Sequence, residues 1–442
     1  MQNFLDAISS VVWGVPMLIF FLFTAIRFTV KSGFFQLRGI KTVCRSTLGN
    51  IFKKSNTDGI SQFGAFCSVL GACIGTGNIV GVATAVYSGG PGTVFWMWLS
   101  AIFSMMTAYS ENYLGIKYKK KDKYGQHSGG AFSYIANGVG MKKLAEIYAV
   151  FCLMSSLGMG NLAQSNSTAS ALKEGFEVNT FVSGVIIAVV CFVIINGGIK
   201  RLGNFGIFIV PVMTIAYLIL SAVVLFSFKE NILPCISNIF KEAFTFKAVS
   251  GYGLFNAMRY GISRGVFSNE AGLGSSTILH SEVQTKDGEN QGMWAMLEVF
   301  TDTVLLCTVT ALVILVSTDD LSLYGAELSV TAYGSIGEIG KKGISVLTAV
   351  FAFTSLTSCS FYGEKSFEYL FGKKHTRIYK IAYSILAFVG CVNNAKIIWT
   401  VADICNGLMA LPNLFAVNTL AKEVEYPIIK RPNMRKNHRQ RG

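Results

Sequence analysis

Apolar runs of about twenty residues, the length a helix needs to cross a bilayer, recur along most of the chain. About eleven are legible, at 11–30, 59–87, 93–118, 143–172, 178–196, 205–228, 252–279, 292–316, 343–370, 378–392 and 397–420. Between them lie short polar or basic stretches, a longer polar loop at 119–141 and an amphipathic connector at 231–250. The pattern predicts an all-α integral membrane protein.

Two of the runs are interrupted. The first carries Leu-Gly-Ala-Cys-Ile-Gly-Thr-Gly-Asn-Ile-Val-Gly over 70–81, where each glycine costs about 1 kcal/mol relative to alanine inside a helix. Thr76 and Asn78 add polar groups at the same depth. Backbone freed from a helix inside a bilayer survives only where it is buried in protein or lines a polar cavity. The stretch therefore predicts a broken helix that forms a binding site, its half-helix ends offering amides to an anion and carbonyls to a cation. Close packing of small residues is the competing explanation, and it needs neither Thr76 nor Asn78. The second interrupted run, 259–276, reads Arg-Tyr-Gly-Ile-Ser-Arg-Gly-Val-Phe-Ser-Asn-Glu-Ala-Gly-Leu-Gly-Ser-Ser.

With the first span set aside, ten remain, and the interrupted runs open the first five and the second five. Interrupted segments at corresponding positions of two halves point to an inverted-repeat transporter with its site at the midplane. The expected units are an extra amino-terminal helix with its basic loop at 1–58, a first repeat at 59–228 broken at 71–81, and a connector at 229–250. A second repeat follows at 251–420, broken near 261–274, and then a tail at 421–442.

Lys and Arg gather in alternate loops. Lys31, Arg38, Lys41, Arg45, Lys53 and Lys54 share one side with Lys119, Lys120, Lys121, Lys123, Lys142 and Lys143, with Lys200 and Arg201, with Lys373, Lys374 and Arg377, and with the tail from Lys430 to Arg441. Loops on the other side, 88–92, 173–178 and 319–338, are nearly neutral or acidic; the acidic loop 282–290 is the one exception. The bias puts the amino terminus outside and the carboxyl tail in the cytoplasm. It also accounts for the net charge of +14 without nucleic acid, since no aromatic platform accompanies the basic residues. Of 442 residues, 52% are hydrophobic and 14% charged, which sets the chain apart from soluble enzymes. The 10 cysteines fall mostly in apolar segments without metal-type spacing and read as small buried hydrophobes. No cleaved signal peptide is expected ahead of the first span.

An ionisable side chain at the bilayer centre costs about 2.5–3.5 kcal/mol on insertion scales, so each one is informative. Asp302 reads either as the partner of Arg264 or as part of a cation site, with a purely structural ion pair as the plainer account. Asn269 and Glu270 read as gate residues near the inner end of the second interrupted run, and Glu111, Asn112 and Tyr109 as a packing or gating network. Gln164, Ser165, Asn166, Ser167 and Thr168 form a polar patch that either meets a substrate or bonds between helices. In the run at 353–360, Thr354, Ser355, Thr357 and Ser358 offer hydroxyls suited to a hard monovalent cation, unless they bond back to their own helix. His127, His280, His375 and His438 lie in or beside loops, and no nucleophile has a placed base. The glycine-rich stretches lack the lysine of a phosphate-binding loop. Neither catalysis nor ATP-driven transport is expected.

Three strings carry a family resemblance: Gly-Thr-Gly-Asn-Ile-Val-Gly at 75–81, Gly-Gly-Ala-Phe-Ser-Tyr at 129–134, and Arg-Gly-Val-Phe-Ser-Asn-Glu-Ala-Gly-Leu-Gly-Ser at 264–275. Together they resemble the alanine or glycine:cation symporters, the sodium:alanine symporter group of the amino acid, polyamine and organocation superfamily. The resemblance covers essentially the whole chain. It implies a leucine-transporter-like five-plus-five inverted repeat with one extra amino-terminal helix. It further implies that Gly75, Thr76, Gly77 and Asn78 meet the substrate carboxylate, with Gln164, Gly265, Phe267 and Cys359 around the pocket. Carbonyls of Gly71 and Ile74 with hydroxyls of Thr354 and Ser355 are similar to the sodium site of that fold, Thr357 and Ser358 being the alternates one turn away. Where many relatives have Gly-Trp, this sequence has Ser358-Cys359; loss of the indole enlarges or reshapes the pocket and admits a larger neutral amino acid such as glutamine.

The expectation is a secondary transporter of the cell membrane that imports a small neutral amino acid, alanine, glycine or glutamine, with Na+ by alternating access. Its surroundings are lipid, and no obligate protein partner is evident. The alternatives are coupling to protons, or a gated channel or amino acid sensor. Paired breaks argue against a channel, and the lack of a sizeable soluble domain argues against a sensor.

Overall fold

The computed structural model describes residues 2–50, 61–121, 127–245, 253–318 and 320–427, and helices account for nearly all of them. Lys53, Lys54, Lys123, Asp319, His438 and the tail from Lys430 lie outside the described residues.

Helices α1 (Gln2–Val12) and α2 (Val15–Lys31) form one apolar rod, bent only where Gly14 precedes Pro16. A proline in the first helical turn removes no internal hydrogen bond. The rod is tied to the far end of the chain, because Trp13 Nε1 donates to Asp403 O at 2.9 Å and Arg27 Nη1 to Asn418 O at 3.0 Å. Helix α3 (Gln62–Cys73) starts on a Ser61 cap that accepts from Gly64 N at 2.9 Å. It stops at Cys73, and the chain resumes as a π-helical turn, Gly77–Gly81, and α4 (Val82–Gly89), bent from α3 by 46°. The expected break is present.

The first half continues with α5 (Thr93–Lys117), α6 (Lys142–Leu157), α7 (Gln164–Phe176), α8 (Thr180–Ile195) and α9 (Gly198–Ser227). Helices α6 and α7 form one long rod joined by a π-helical segment, Gly158–Ala163. The connector carries α10 (Lys229–Glu242). Helix α11 (Leu254–Asn269) ends in a tight irregular turn at 270–275 before the short α12 (Ser276–His280). The remainder comprises α13 (Gly288–Val299), a π-helical segment Phe300–Cys307, α14 (Thr308–Ser317), α15 (Ala326–Gly334), α16 (Glu338–Phe371), α17 (Thr376–Val392) and α18 (Ala395–Thr419).

Among the described residues, six helices are long and apolar enough to cross a membrane, or seven with the bent α3–α4 pair. The other expected spans, α5, α8, α11–α12 and α17, are shorter, broken or more polar. Outward-facing Phe181, Ile186, Val189 and Val193 on α8 and Ile215, Ile219 and Phe226 on α9 are exposed, as a lipid-facing surface requires. Small residues bring helices close: a Cβ at Gly292 of α13 would lie 2.6 Å from the Tyr109 ring of α5. The loop expected at 319–338 is not simply a loop. It folds into α15, which rests on the broken helix through Ser329 Oγ donating to Ile79 O at 3.1 Å. Nine residues with Ala, Leu and Tyr facing inward suffice for a helix when neighbours supply the buried surface.

Candidate functional site

The break in the first interrupted helix is an accounting problem in backbone hydrogen bonds. In an uninterrupted helix the carbonyls of Gly71 and Ala72 would accept from the amides of residues 75 and 76. Gly75 N instead bonds to Cys73 O at 2.7 Å, and Thr76 N donates to Gln164 Oε1 at 3.0 Å. The two freed carbonyls are met by one side chain from α16: Ser355 Oγ lies 3.0 Å from Gly71 O and 2.7 Å from Ala72 O. Gln164, at the start of α7, also accepts from Thr76 Oγ1 at 2.9 Å and returns its amide to Met159 O at 3.3 Å. Gly75 is the pivot of this arrangement. A Cβ there would stand 2.2 Å from Ser355 Oγ and 2.9 Å from Gln164 Oε1.

One residue later the chain meets the second interrupted run. A Cβ at Gly77 would touch Phe267 and Ser268 at about 3.5 Å. Asn78 Nδ2 donates to Asp302 Oδ1 at 2.7 Å and to Asp302 O at 3.0 Å, while Asn78 O accepts from Thr310 Oγ1 at 2.5 Å. Asp302 also accepts from Ser268 Oγ at 3.1 Å and Thr303 Oγ1 at 2.8 Å, and Asn269 Nδ2 donates to Thr303 Oγ1 at 3.0 Å. Phe267 packs its ring 4.8 Å from that of Trp399, and Arg264 lies over both faces, 5.7 and 5.0 Å from the ring centres.

Several expectations need correcting. Arg264 is not paired with Asp302. It makes a two-pronged bond with Asp403 of α18, Nη2 to Oδ2 at 2.8 Å and Nη1 to Oδ1, the planar geometry a guanidinium favours. Asp403 escaped notice, although a single acid in the apolar run at 397–420 was the signal that would have found it. Gly265 turns its Cα hydrogens toward α5, where a Cβ would meet Ser100 and Met97. Glu111, Asn112 and Tyr109 do not form one network. Glu111 accepts from Gly272 N at 3.2 Å and from Asn413 Nδ2, Asn112 donates to Ser276 Oγ at 3.3 Å, and Tyr109 OH donates to Glu425 O at 2.9 Å. His280, expected in or beside a loop, is fully buried at the end of α12, with Nε2 2.8 Å from Glu298 Oε1 and Nδ1 against Gln291.

Of the polar patch on α7, only Gln164 turns to the broken helix. Asn166 Nδ2 bridges to Gly390 O and Asn393 O, each at 2.9 Å, and Ser167 and Thr168 bond back to their own helix. On α16, Thr357 likewise bonds to Phe353 O at 3.0 Å and Thr354 to Phe351 O at 2.8 Å. Thr354 Cβ and Ser358 Oγ still flank Gly71, at 3.6 and 3.5 Å from a Cβ built there. Ile74, the last residue before the turn, has ψ near 74°. Glu270 closes its own turn by accepting from Ser275 Oγ at 2.5 Å. Cys359 abuts Gly160 and lines a small internal cavity with Met159, Glu270, Tyr362 and Met409. The Gly158–Ala163 segment packs directly against Cys359.

The site combines freed amides, freed carbonyls and neutral side chains around one unwound turn, the arrangement that binds a zwitterion and a small cation together. A sequence model described as the sodium:alanine symporter family matches residues 1–440. The chain belongs to that family. The symporter is a transport protein of the cell membrane and not an enzyme, coupling amino acid movement to a cation. It is 36% identical to Sodium/alanine symporter AgcS of Methanococcus maripaludis, over 95% of this chain and 94% of the relative. It is 33% identical to Probable sodium/glutamine symporter GlnT of Bacillus subtilis, over 96% of this chain and 90% of the relative. A solved manganese transporter of Eremococcus coleocola superposes with a TM-score of 0.52 at 13% identity, covering 80% of the symporter and 76% of its own chain. That similarity establishes a shared helical transporter fold.

Proposed function

We propose that the protein imports a small neutral amino acid together with Na+ by alternating access, its amino terminus outside and its carboxyl tail in the cytoplasm. The observation that carries this reading is the exchange of partners at 71–76. Thr76 presents an amide and a hydroxyl to Gln164 Oε1, at 3.0 and 2.9 Å, and a substrate carboxylate supplies the same kind of oxygen. When the carboxylate binds, Gln164 turns its NH2 group toward it. The carbonyls of Gly71 and Ala72, with Ser355 Oγ between them, give Na+ an oxygen-only set of the kind hard cations take. Thr354 and Ser358, which flank Gly71, and Ile74 at the turn complete the candidate ligands; the hydroxyls of Thr354 and Thr357 both donate within α16, and Thr357 is not among the atoms beside Gly71.

The site lies at the 46° bend between α3 and α4, which supports a reading in which rocking of one repeat against the other opens it to either side. One cation moving inward gains about 2.3 kcal/mol per 100 mV of membrane potential, more than tenfold in accumulation. The similarity to a probable sodium/glutamine symporter supports a side chain larger than that of alanine.

The test is uptake of labelled alanine, glycine and glutamine into proteoliposomes under an inward Na+ gradient and, separately, a proton gradient. Na+-driven, saturable uptake of one of the three is the expected result. Folded protein that moves none of them under either gradient would return the channel or sensor reading to first place.

A further inference from the structure

An apolar groove of about 390 Å³ opens on the lipid-facing surface between α7, α8, α9 and α16. Ile186 and Val190 of α8 and Val346 of α16 stand exposed at its mouth, and Ile209 of α9 with Phe353 and Leu356 of α16 lie further in. Thr168, the one polar residue among its described lining, spends its hydroxyl on Gln164 O at 2.9 Å. The volume falls in the range of small-molecule sites, about 300–1,000 Å³. Its side chains offer little besides hydrocarbon, so the ligand that fits is a hydrocarbon chain.

Length and charge say which chain. From Val346 to Leu356 the groove follows α16 for about 15 Å at a rise of about 1.5 Å per residue, which is half of a hydrocarbon core roughly 30 Å thick. Leu172, Ile186 and Val346 each lie within about two turns of the helix ends at Phe176, Thr180 and Glu338. A Cβ at Gly175 would be 2.2 Å from Ser345 Oγ, so these ends share one side of the protein. The groove therefore runs from that surface to the midplane and spans one leaflet. On α16 its face recurs every three or four residues through Phe353, Ala349 and Val346. The next position outward is Lys342, about 5.4 Å further on, and Glu338 is one turn beyond it. Their side chains are 3.3 Å apart and more than half exposed, a pair that water keeps weak and that a ligand can open. A glycerophospholipid presents its groups in the same order, chain then phosphate, and phosphatidylethanolamine adds a primary ammonium. Lys342 suits the phosphate and Glu338 the ammonium. A trimethylated ammonium has no N–H to give Glu338, and an anionic headgroup meets it as a like charge.

We propose that the groove holds one acyl chain of a phosphatidylethanolamine molecule, with Lys342 on its phosphate and Glu338 on its ammonium. The chain lies behind the transport site: Thr168 bonds to the backbone of Gln164, and Phe353 and Leu356 flank Thr354 and Ser355 along α16. The choice of the outer leaflet rests on the orientation proposed above; the site itself does not.

The experiment photolyses full-length protein in detergent with a phosphatidylethanolamine that carries a diazirine at mid-chain, and maps the labelled peptides by mass spectrometry. Label is expected on 186–190 and 346–356. Unlabelled phosphatidylethanolamine should compete it away at a several-fold lower concentration than phosphatidylglycerol or phosphatidylcholine. Ile219 of α9, exposed to lipid, is the reference for bulk lipid, where competition should not depend on the headgroup. Val190→Trp, which fills the groove from its exposed rim, should abolish the competable label. Lys342→Gln and Glu338→Gln, both at exposed positions, should keep the label and lose the preference among headgroups. Groove label that competes no better than label at Ile219 reports annular lipid only and overturns the proposal, as does equal competition by the three headgroups. Label lost with rising protein concentration but not with added lipid would give the groove to a second copy of the chain and overturn it equally. None of these readings involves uptake, so a protein that moves no amino acid under any gradient would sink the transport reading and leave this one standing.

Discussion

The two interrupted segments are closed in different ways. At 74–76 the freed groups are met by the tips of uncharged side chains from two other helices, Ser355 Oγ on the carbonyls of Gly71 and Ala72 and Gln164 Oε1 on the Thr76 amide. At 270–275 the named groups are met by different side chains, among them a carboxyl, an amide and a phenol from three other helices. Gly272 N donates to Glu111, Gly272 O accepts from Asn413 Nδ2 at 2.9 Å, and Leu273 O accepts from Tyr148 OH at 3.0 Å. Ala271 N is held by Asn269 Oδ1 at 3.0 Å. Ser355 Oγ and Gln164 Oε1 each serve two groups of the first break, so a ligand can take one bond and leave the other, whereas at 270–275 the bonds are spread over four side chains. Interruption alone therefore does not make a binding site, and what matters is whether the bonds that replace the helix are exchangeable.

The largest effect is expected where α11 leads into the rigid turn. Arg264→Ala leaves Asp403 buried without its guanidinium, a loss of about 3–5 kcal/mol, read as a steep fall in melting temperature or as failure to accumulate in the membrane. Replacing both residues by leucine should recover most of that stability. A single variant as stable as the wild type would show that the pair is not what holds α11 to α18.

A pair of glycine substitutions sharpens the contrast. Gly272 has φ near +90°, and a Cβ there would lie 2.5 Å from the Phe21 ring, so Gly272→Ala should cost about 1–3 kcal/mol of stability. At Gly75 the clash is with Ser355, at both its Oγ and its Cβ, and with the Gln164 oxygen. Gly75→Ala, with no positive φ to strain, should lose less stability than Gly272→Ala yet lose at least about tenfold in substrate affinity, about 1.4 kcal/mol, measured by ligand-induced thermal shift. Equal losses of stability at the two positions would erase the distinction. Next in size, Ser355→Ala should weaken Na+ about tenfold, again about 1.4 kcal/mol, with alanine affinity at saturating Na+ nearly unchanged.

Much of this was legible in the sequence. Four glycines beside Thr76 and Asn78 announced the first break, and Gln164 and Ser355 were recognised as polar atoms that a membrane interior would not tolerate without a task. The missing parts are those fixed by distant packing. Asp403 became the partner of Arg264 because α18 lies against α11, which no local pattern reveals. Gly265 and Gly77 both lie in interrupted, glycine-bearing runs, and what separates them is the neighbour each meets: a Cβ at Gly265 would face α5 and one at Gly77 would face Phe267 and Ser268. Helix α15 is short, with too few residues to stabilise itself, so it read as a loop until its seat on Ile79 was visible. Among the hydroxyls of α16, helical periodicity grouped Thr354, Ser355, Thr357 and Ser358 within one turn, and the choice of Ser355 depended on how α3 ends.

The smallest effect tests whether the exchangeable break also sets substrate size. Cys359 lies one helical turn beyond Ser355 on α16, and its Cβ would be 2.3 Å from a Cβ at Gly160, so the Gly158–Ala163 segment already packs as close as a glycine permits. The cavity beside it ends at Glu270, Tyr362 and Met409. Cys359→Ala removes only the sulfur and lengthens that cavity toward the site. A larger neutral amino acid should gain about 1 kcal/mol over alanine, within the range for one methylene-sized change, seen as a severalfold rise in the ratio of glutamine to alanine uptake at equal Na+. Cys359→Trp should reverse the preference at a cost in melting temperature, because Gly160 leaves the indole no room on the α6–α7 side and the cavity holds little more than one water. An unchanged ratio in both variants would separate side-chain recognition from α16 and leave the break responsible for the backbone of the substrate alone.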